Sequence, residues 1–538
     1  MSIFKKTVIM RSIFILVLLA LNSICYAQNL TSGGKLKPEQ AIMDVRHYTI
    51  DLNIDFEQQS ISGSTVIDFI LSENAPVLLF DLLNDLQVEK IWVNGKAAAF
   101  THTNGLITIS PAAPVNAGKG SVKVKYAGKP HIAIRPPWED GFTWTKDTLG
   151  NPWLAVTAEA SGGQIFFPCK NHPSDEPNEG GDMIITVPKG LVVAAPGLLQ
   201  KITKNRKTDT YFWKTNYTIN NYNLVFNVGN YAVAEKMYTT VAGNKVPMQF
   251  YVLKHNLDKA AHHLEILENI ARVREKYFGE YPWVKEKIGV VETPHLGMEH
   301  QTMNAYGNKF KYEKAGGLDN DWLMNHEFGH EWYGNKVTVN DWADYWIQEG
   351  ICSFGDALYT REMDGEQAYI NRFKQSSFGI ANKKPVVQGK DIDEVTAYIG
   401  DIYSKGAFFM HTLRYVTGDV VFFPTLMKLS TDKQYTYNTM INTDDVEKLF
   451  SKESATDLKP LFDFYLRTVN KLDVQVTALR GNKYKIAITN IDMPLPLDIV
   501  TDKGTQRMTV TKKGITVSSE VLPQVDPDMY YLKKITIE

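Results

Sequence analysis

In HEFGHEWYGN, residues 326–335, two histidines stand four residues apart and a glutamate follows the first. On a helix, positions i and i+4 share a face. His326 and His330 can therefore aim imidazole nitrogens at one ion while Glu327 sits beside them. A metal that keeps a fourth position for water needs a third protein ligand. Glu349, with eighteen residues between it and His330, can supply it from a second helical stretch, WADYWIQEGICSFGDALY. Two imidazoles and one carboxylate suit zinc, one ion per chain, and leave it a net positive charge that brings a bound water's pKa to about 7. Glu327, which cannot be both ligand and base, is then placed to take that water's proton. By itself the first motif is also compatible with a helix that carries two histidines by coincidence.

The longer run HEFGHEWYGNKVTVNDWADYWIQEG resembles the zinc signature of the aminopeptidase N family of gluzincins. The shared features are H-E-x-x-H, a glutamate after eighteen residues, W-[FY]-G-N, V-T, W-x-x-x-W and E-G. Thermolysin-like proteases share the first part with a different spacing and different flanks. The resemblance extends over most of the chain, is strongest from about Phe166 to Leu413 and is weakest in the C-terminal tail. YSKGA, residues 403–407, is similar to the family's Y-x-K-G, which implies that the Tyr403 hydroxyl donates to the oxyanion of the reaction. Tyr398 matches another active-site tyrosine of some relatives, with core packing as the alternative. Asp356, two helical turns after Glu349, either orients a zinc histidine or is a solvated helix residue. Trp332, Trp342 and Trp346 are expected to pack in the core.

An enzyme that works from the N-terminus must hold a charged α-ammonium, and carboxylates in a water-poor pocket do this. LGMEH, residues 296–300, resembles the family's G-x-M-E-N and implies Glu299 as the amine ligand, with Gly297 and Met298 beside the substrate. Leu296 stands where glycine is usual and His300 where asparagine is, so the first side-chain pocket departs from the pattern. FFPCKNHPSDEP, residues 166–177, resembles F-P-C-x-D-E-P with an insertion. Nine residues before Pro168, Glu159 stands where relatives carry a second amine-touching glutamate or glutamine, while Gln164 replaces a usual arginine. The resemblance implies hydrolysis of the N-terminal bond of peptides with a free N-terminus. A zinc endopeptidase or dipeptidyl peptidase would use the same metal site. Outside enzymes, the alternative is a non-catalytic peptide-binding protein of this fold.

These residues must be positioned by a chain of 538 residues, long enough for roughly two to four domains. At the N-terminus Lys5, Lys6 and Arg11 precede an apolar run, Ser12 to Leu21, that is too short to span a bilayer. Residues 1–27 are expected to be a signal peptide cleaved after Ala27, giving a periplasmic or extracellular protein. Its removal takes away three cations and no acid, moving the formal charge from -2 to -5. No basic stripe follows, which argues against a nucleic-acid partner, and no later apolar run approaches membrane-spanning length. Cys169 and Cys352 are too few for a disulfide scaffold and read as structural thiols, with a single bridge left open. A monomer is expected, and a dimer is possible.

HYTIDLNIDF alternates apolar and polar residues, and similar stretches continue to about residue 235, predicting an antiparallel β domain over 28–235. The resemblance makes that domain saddle-like. From Asn256 the period becomes helical, closing first at Gly279 and Pro282, and residues 236–470 are expected to be a mostly helical, thermolysin-like catalytic domain. His262 and His263 on the first helix are expected at the surface. Alternation returns after Asn470, predicting a small β-sandwich over 471–538. The expected fold class is multidomain α+β, and set against the resemblance the chain is expected to be a short form without the C-terminal helical domain of many relatives.

Overall fold

The alternation of HYTIDLNIDF becomes the strand Met43–Asp55, which buries Tyr48, Ile50, Leu52 and Ile54 and turns Asp51, Asn53 and Asp55 outward. The computed structural model that shows this describes residues 30–538, so the expected signal peptide lies outside the described residues. Met43–Asp55 sits inside an eight-stranded sheet, between Gly181–Pro188 and Ser60–Leu71. Its pairing with Ser60–Leu71 is antiparallel, but its pairing with Gly181–Pro188 is parallel, so the β domain is mixed and not purely antiparallel. A parallel partner needs a long connection. The intervening chain forms the three-stranded sheet of Leu78–Asp81, Ala99–Thr103 and Leu106–Ser110, and part of a four-stranded one.

The expected boundary at residue 235 falls within a strand, Tyr231–Thr239, that belongs to the next unit. It pairs with Lys245–Leu253 in a five-stranded sheet continued by Ile288–Glu292, Asn304–Tyr306 and, at the edge, Gly297–Met298. The segment after Asn256 is therefore less purely helical than its period suggests.

Against this sheet lies the helix Leu257–Phe278, which ends where Gly279 takes φ 82°, a conformation that suits glycine. His262 is on its exposed face, 2.9 Å from Asp319. His263, expected at the surface, is instead fully buried among Phe250, Tyr306 and Tyr312, because it lies on the helix face that meets the sheet. Three further helices carry the chemistry: Trp322–Gly329, Trp346–Asp364 and Asp401–Thr417. The last two cross so closely that a Cβ on Gly350 would come 2.9 Å from the Gly406 Cα and from the Ile402 carbonyl oxygen. Trp332, Trp342 and Trp346 are buried in the core.

Residues after Asn470 form a four-stranded and a three-stranded sheet, with Val474, Val476 and Ile486 buried on one and Leu495, Leu497 and Ile499 on the other. Cys169 and Cys352 are both free and buried. Among the described residues no helix is long and apolar enough to cross a membrane. A strap at Leu30–Gly34 ties the first two units together: Ser32 N–H donates to the Ala160 carbonyl and the Ser32 carbonyl accepts from Glu394 N–H, at 2.8 and 3.0 Å.

The Gly350–Gly406 approach leaves no room for a methyl group. Gly350→Ala is expected to cost about 1–3 kcal/mol through overpacking, read as a lowered denaturant midpoint; an unchanged midpoint would show that the helices can part freely.

Candidate metal centre and active-site cleft

The Trp322–Gly329 helix starts at Asp321, whose carboxylate accepts from Leu323 N–H and Met324 N–H at 3.1 Å each and from the Tyr306 hydroxyl at 2.7 Å. The cap thus fixes the helix to the five-stranded sheet. His326 and Glu327 lie in its last turn and His330 just after it, still in right-handed helical conformation. Glu349 is in the first turn of the Trp346 helix.

These elements bring three donor atoms together. His326 Nε2 and His330 Nε2 are 3.3 Å apart, and each is 3.4 Å from Glu349 Oε2. For metal–ligand bonds of about 2.0–2.1 Å, neighbouring corners of a tetrahedron lie about 3.3–3.4 Å apart, so the triangle fits one tetrahedral ion and leaves the fourth corner for water or substrate. Glu349 Oε2 is buried and accepts no hydrogen bond, a costly state for a carboxylate oxygen unless a cation completes it. Both rings are held in the required tautomer. His326 Nδ1 donates to Asp356 Oδ2 and His330 Nδ1 to the Tyr333 carbonyl, each at 2.9 Å, which frees both Nε2 lone pairs for an ion. Of the two readings open for Asp356, the structure selects the histidine-orienting one.

Asp356 is itself held from behind. Arg274 Nη2, buried on the Leu257 helix, donates to Asp356 Oδ1 at 2.5 Å and to the Asn325 carbonyl at 2.6 Å. The guanidinium passes through a slot that side chains would close, since a Cβ on Gly355 would lie 1.7 Å from Arg274 Nη1 and one on Gly329 3.1 Å from Nη2. Burial opposes ionisation of Asp356, but His326 and Arg274 hold its carboxyl below the ordinary range.

The donors line a cavity of about 680 Å³ between the β domain and the helices. Every residue expected at the site reaches it: Glu159, Gly297, Met298, Glu299, His326, Glu327, His330, Glu349 and Tyr403 all line the cavity. Gly297–Met298 is the edge strand, and its glycine lies against Glu327, for a Cβ there would come 2.5 Å from Glu327 Oε1. Burial raises the Glu327 carboxyl to about 8, partly countered by His326. The Tyr403 hydroxyl donates to Glu349 Oε1 at 2.9 Å and is 3.2 Å from the Tyr398 hydroxyl. Tyr398 thus lines the cleft and is 37% exposed, so it is not core packing.

Glu299 is buried and accepts from the Tyr222 hydroxyl at 2.9 Å, while Asn335 Nδ2 donates to its backbone carbonyl at 2.8 Å. Glu159, far from an exposed loop residue, faces the cavity and accepts from the Tyr345 hydroxyl. Burial, and then Glu299 and Glu349, push its carboxyl well above the usual range. Tyr222, Tyr345, Arg274, Asp140 and Glu394 were not singled out from sequence. Tyr345 and Asn335 fall inside the signature run, so position relative to the ligands was a usable signal; the others lie in stretches with no motif.

Residues 262–465 match the Peptidase family M1 domain. The chain is 23% identical to leukotriene A-4 hydrolase of Xenopus laevis over 418 residues, covering 72% of this chain and 64% of that protein. It is 27% identical to aminopeptidase N of Escherichia coli K12 over 210 residues, covering 36% and 24%. It thus spans less than two thirds of the length of these curated relatives. The crystal structure of an M1 zinc metallopeptidase from Deinococcus radiodurans superposes with a TM-score of 0.68 at 22% identity, covering 81% of this chain and 96% of that one, which shows a shared fold.

Because Asp356 fixes the His326 ring, Asp356→Asn is expected to weaken zinc binding about 10- to 100-fold, measured by competition with a chelating dye. Unchanged affinity would mean that the ring is held without it.

Proposed function

We propose that the chain, whose residues 262–465 match the Peptidase family M1 domain, is an exported zinc aminopeptidase of that family that releases the N-terminal residue of peptides. The observation that carries this reading is one cavity holding both the three-donor metal site and two carboxylates, Glu159 and Glu299, suited to an α-ammonium. His326, His330 and Glu349 would hold the zinc. When bound, the ion supplies Lewis acidity to the attacking water and to the scissile carbonyl.

The protein's own groups do the rest. Glu159 and Glu299, held by the Tyr345 and Tyr222 hydroxyls, grip the substrate's ammonium and set the cleavage point one residue in. The edge strand Gly297–Met298 offers backbone groups along which an extended peptide can lie. Glu327 lines the cavity beside the metal ligands without being one of them; it takes a proton from the attacking water and returns it to the leaving amine. The Tyr403 hydroxyl, now against Glu349, turns to donate to the oxyanion that forms.

Export rests on the N-terminal Lys5, Lys6 and Arg11 before an apolar run and a cleavage point after Ala27. The working division is a β domain from residue 28 to just before Tyr231, a catalytic domain to residue 470, and a β-sandwich over 471–538 built from the two C-terminal sheets.

Tyr403→Phe is expected to lower turnover about 10²- to 10³-fold with zinc retained, measured on an aminoacyl arylamide beside metal analysis; near-normal turnover would remove Tyr403 from the reaction. Blocking the amine tests the other half of the site. Peptides with a free N-terminus should be cut and their N-acetyl forms left intact, whereas equal cleavage of both would point to an endopeptidase.

A further inference from the structure

Among the described residues seven carboxylates line the cavity, and His326 and His330 are its only basic side chains. Five have work: Glu349 holds the metal, Glu327 handles the proton, Asp356 orients His326, and Glu159 and Glu299 meet the substrate's amine. Asp140 and Glu394 are left over, and neither is a routine surface acid. Glu394 is 3% exposed and its carboxylate makes no hydrogen bond or ion pair with the described residues, while the charges that act on it, from Asp140, Asp393 and Glu349, are all negative. Asp140 is 4% exposed; its Oδ2 accepts from Ser161 N–H at 2.6 Å, but its Oδ1 is buried without a partner.

The two belong to one place in the fold. The strap residue Ser32 bonds to Ala160 on one side and to Glu394 on the other, and Asp140 is tied to Ser161 next to Ala160. The pair therefore stands beside Glu159, on the amine-binding side of the cleft. Trp138 and Tyr398 line the same cavity and supply aromatic faces of the kind a planar cation stacks on. A buried carboxylate without a partner is costly, and a cation arriving from the cavity would offset that cost. Burial already pushes Glu394 to about 8 and Asp140 to about 7, which leaves both able to ionise beside a positive ligand.

We propose that Glu394, backed by Asp140, receives the positively charged side chain of the substrate's first residue, so that the enzyme favours peptides beginning with arginine or lysine. This rests on the aminopeptidase reading above and adds the substrate class. Both residues are specificity determinants and take no part in bond cleavage.

The test uses the zinc-loaded full chain and two arylamides of nearly the same shape, arginyl and citrullyl, which differ in charge, with leucyl arylamide as a third. The wild-type kcat/KM is expected to be about 10- to 100-fold higher for arginyl than for citrullyl, the range of one charged hydrogen bond. In Glu394→Gln that ratio should fall toward one, and in Asp140→Asn it should fall partway. A wild-type ratio near one overturns the proposal even if neither variant folds. An equal loss on both substrates in Glu394→Gln, with zinc content unchanged, also overturns it, by moving Glu394 to amine recognition. Failure of the wild type to cut any of the three substrates would instead overturn the aminopeptidase reading itself.

Discussion

The close crossing of the Trp346 and Asp401 helices at Gly350 and Gly406 is the constraint on which the site depends. Gly350 follows the proposed metal ligand Glu349, and Gly406 lies one helical turn after Tyr403. With hydrogen in place of a side chain at both positions, the backbones come near enough for the Tyr403 hydroxyl to reach Glu349 Oε1 at 2.9 Å. A wider crossing would separate the ligand from the proposed oxyanion donor while leaving each helix intact. The crossing thus converts two local motifs, far apart in the chain, into one reacting centre.

A second set of glycines does comparable work on the other side of the donor triangle. Gly329 and Gly355 leave the slot through which Arg274 reaches Asp356, and Asp356 in turn orients His326. The sequence places charge at the end of this relay, and tight packing transmits orientation along it. Because the interior is close-packed, a ring held at its Nδ1 by a carboxylate that is itself fixed has little freedom to turn away from an ion.

The cleft concentrates negative charge where water is scarce. Glu299, Glu349 and Glu394 are almost fully buried, and Glu159 faces the same cavity. Burial pushes Glu159 and Glu394 toward their neutral forms, and positive charge arriving from outside favours their ionised forms: the metal ion, the substrate's ammonium and, as proposed, a basic side chain. The β domain supplies Pro137, Trp138, Asp140, Glu159 and Ala160 to this lining, and the strap at residues 30–34 ties that domain to the helices, so the site is complete only where the two units meet.

Much of this could be read without a structure, for identifiable reasons. The i, i+4 histidines, Glu349 at its fixed distance and the alternation of Tyr48 to Ile54 are local patterns that the helix and strand repeat turn directly into geometry. The strand Ile288–Glu292 was missed because all five of its residues are buried, which erases the period of two. His263 was misplaced because its surroundings are set by the sheet packed against its helix and not by its neighbours in sequence. The sequence by itself therefore determined the three candidate metal ligands, the proposed base and the succession of strand and helix, since each depends on residue type at short spacing. Only the tertiary structure decided the parallel strand pairing, the arginine behind Asp356 and the placing of Asp140 and Glu394 beside Glu159, because each of these is a contact between residues that the chain brings together only when its units pack.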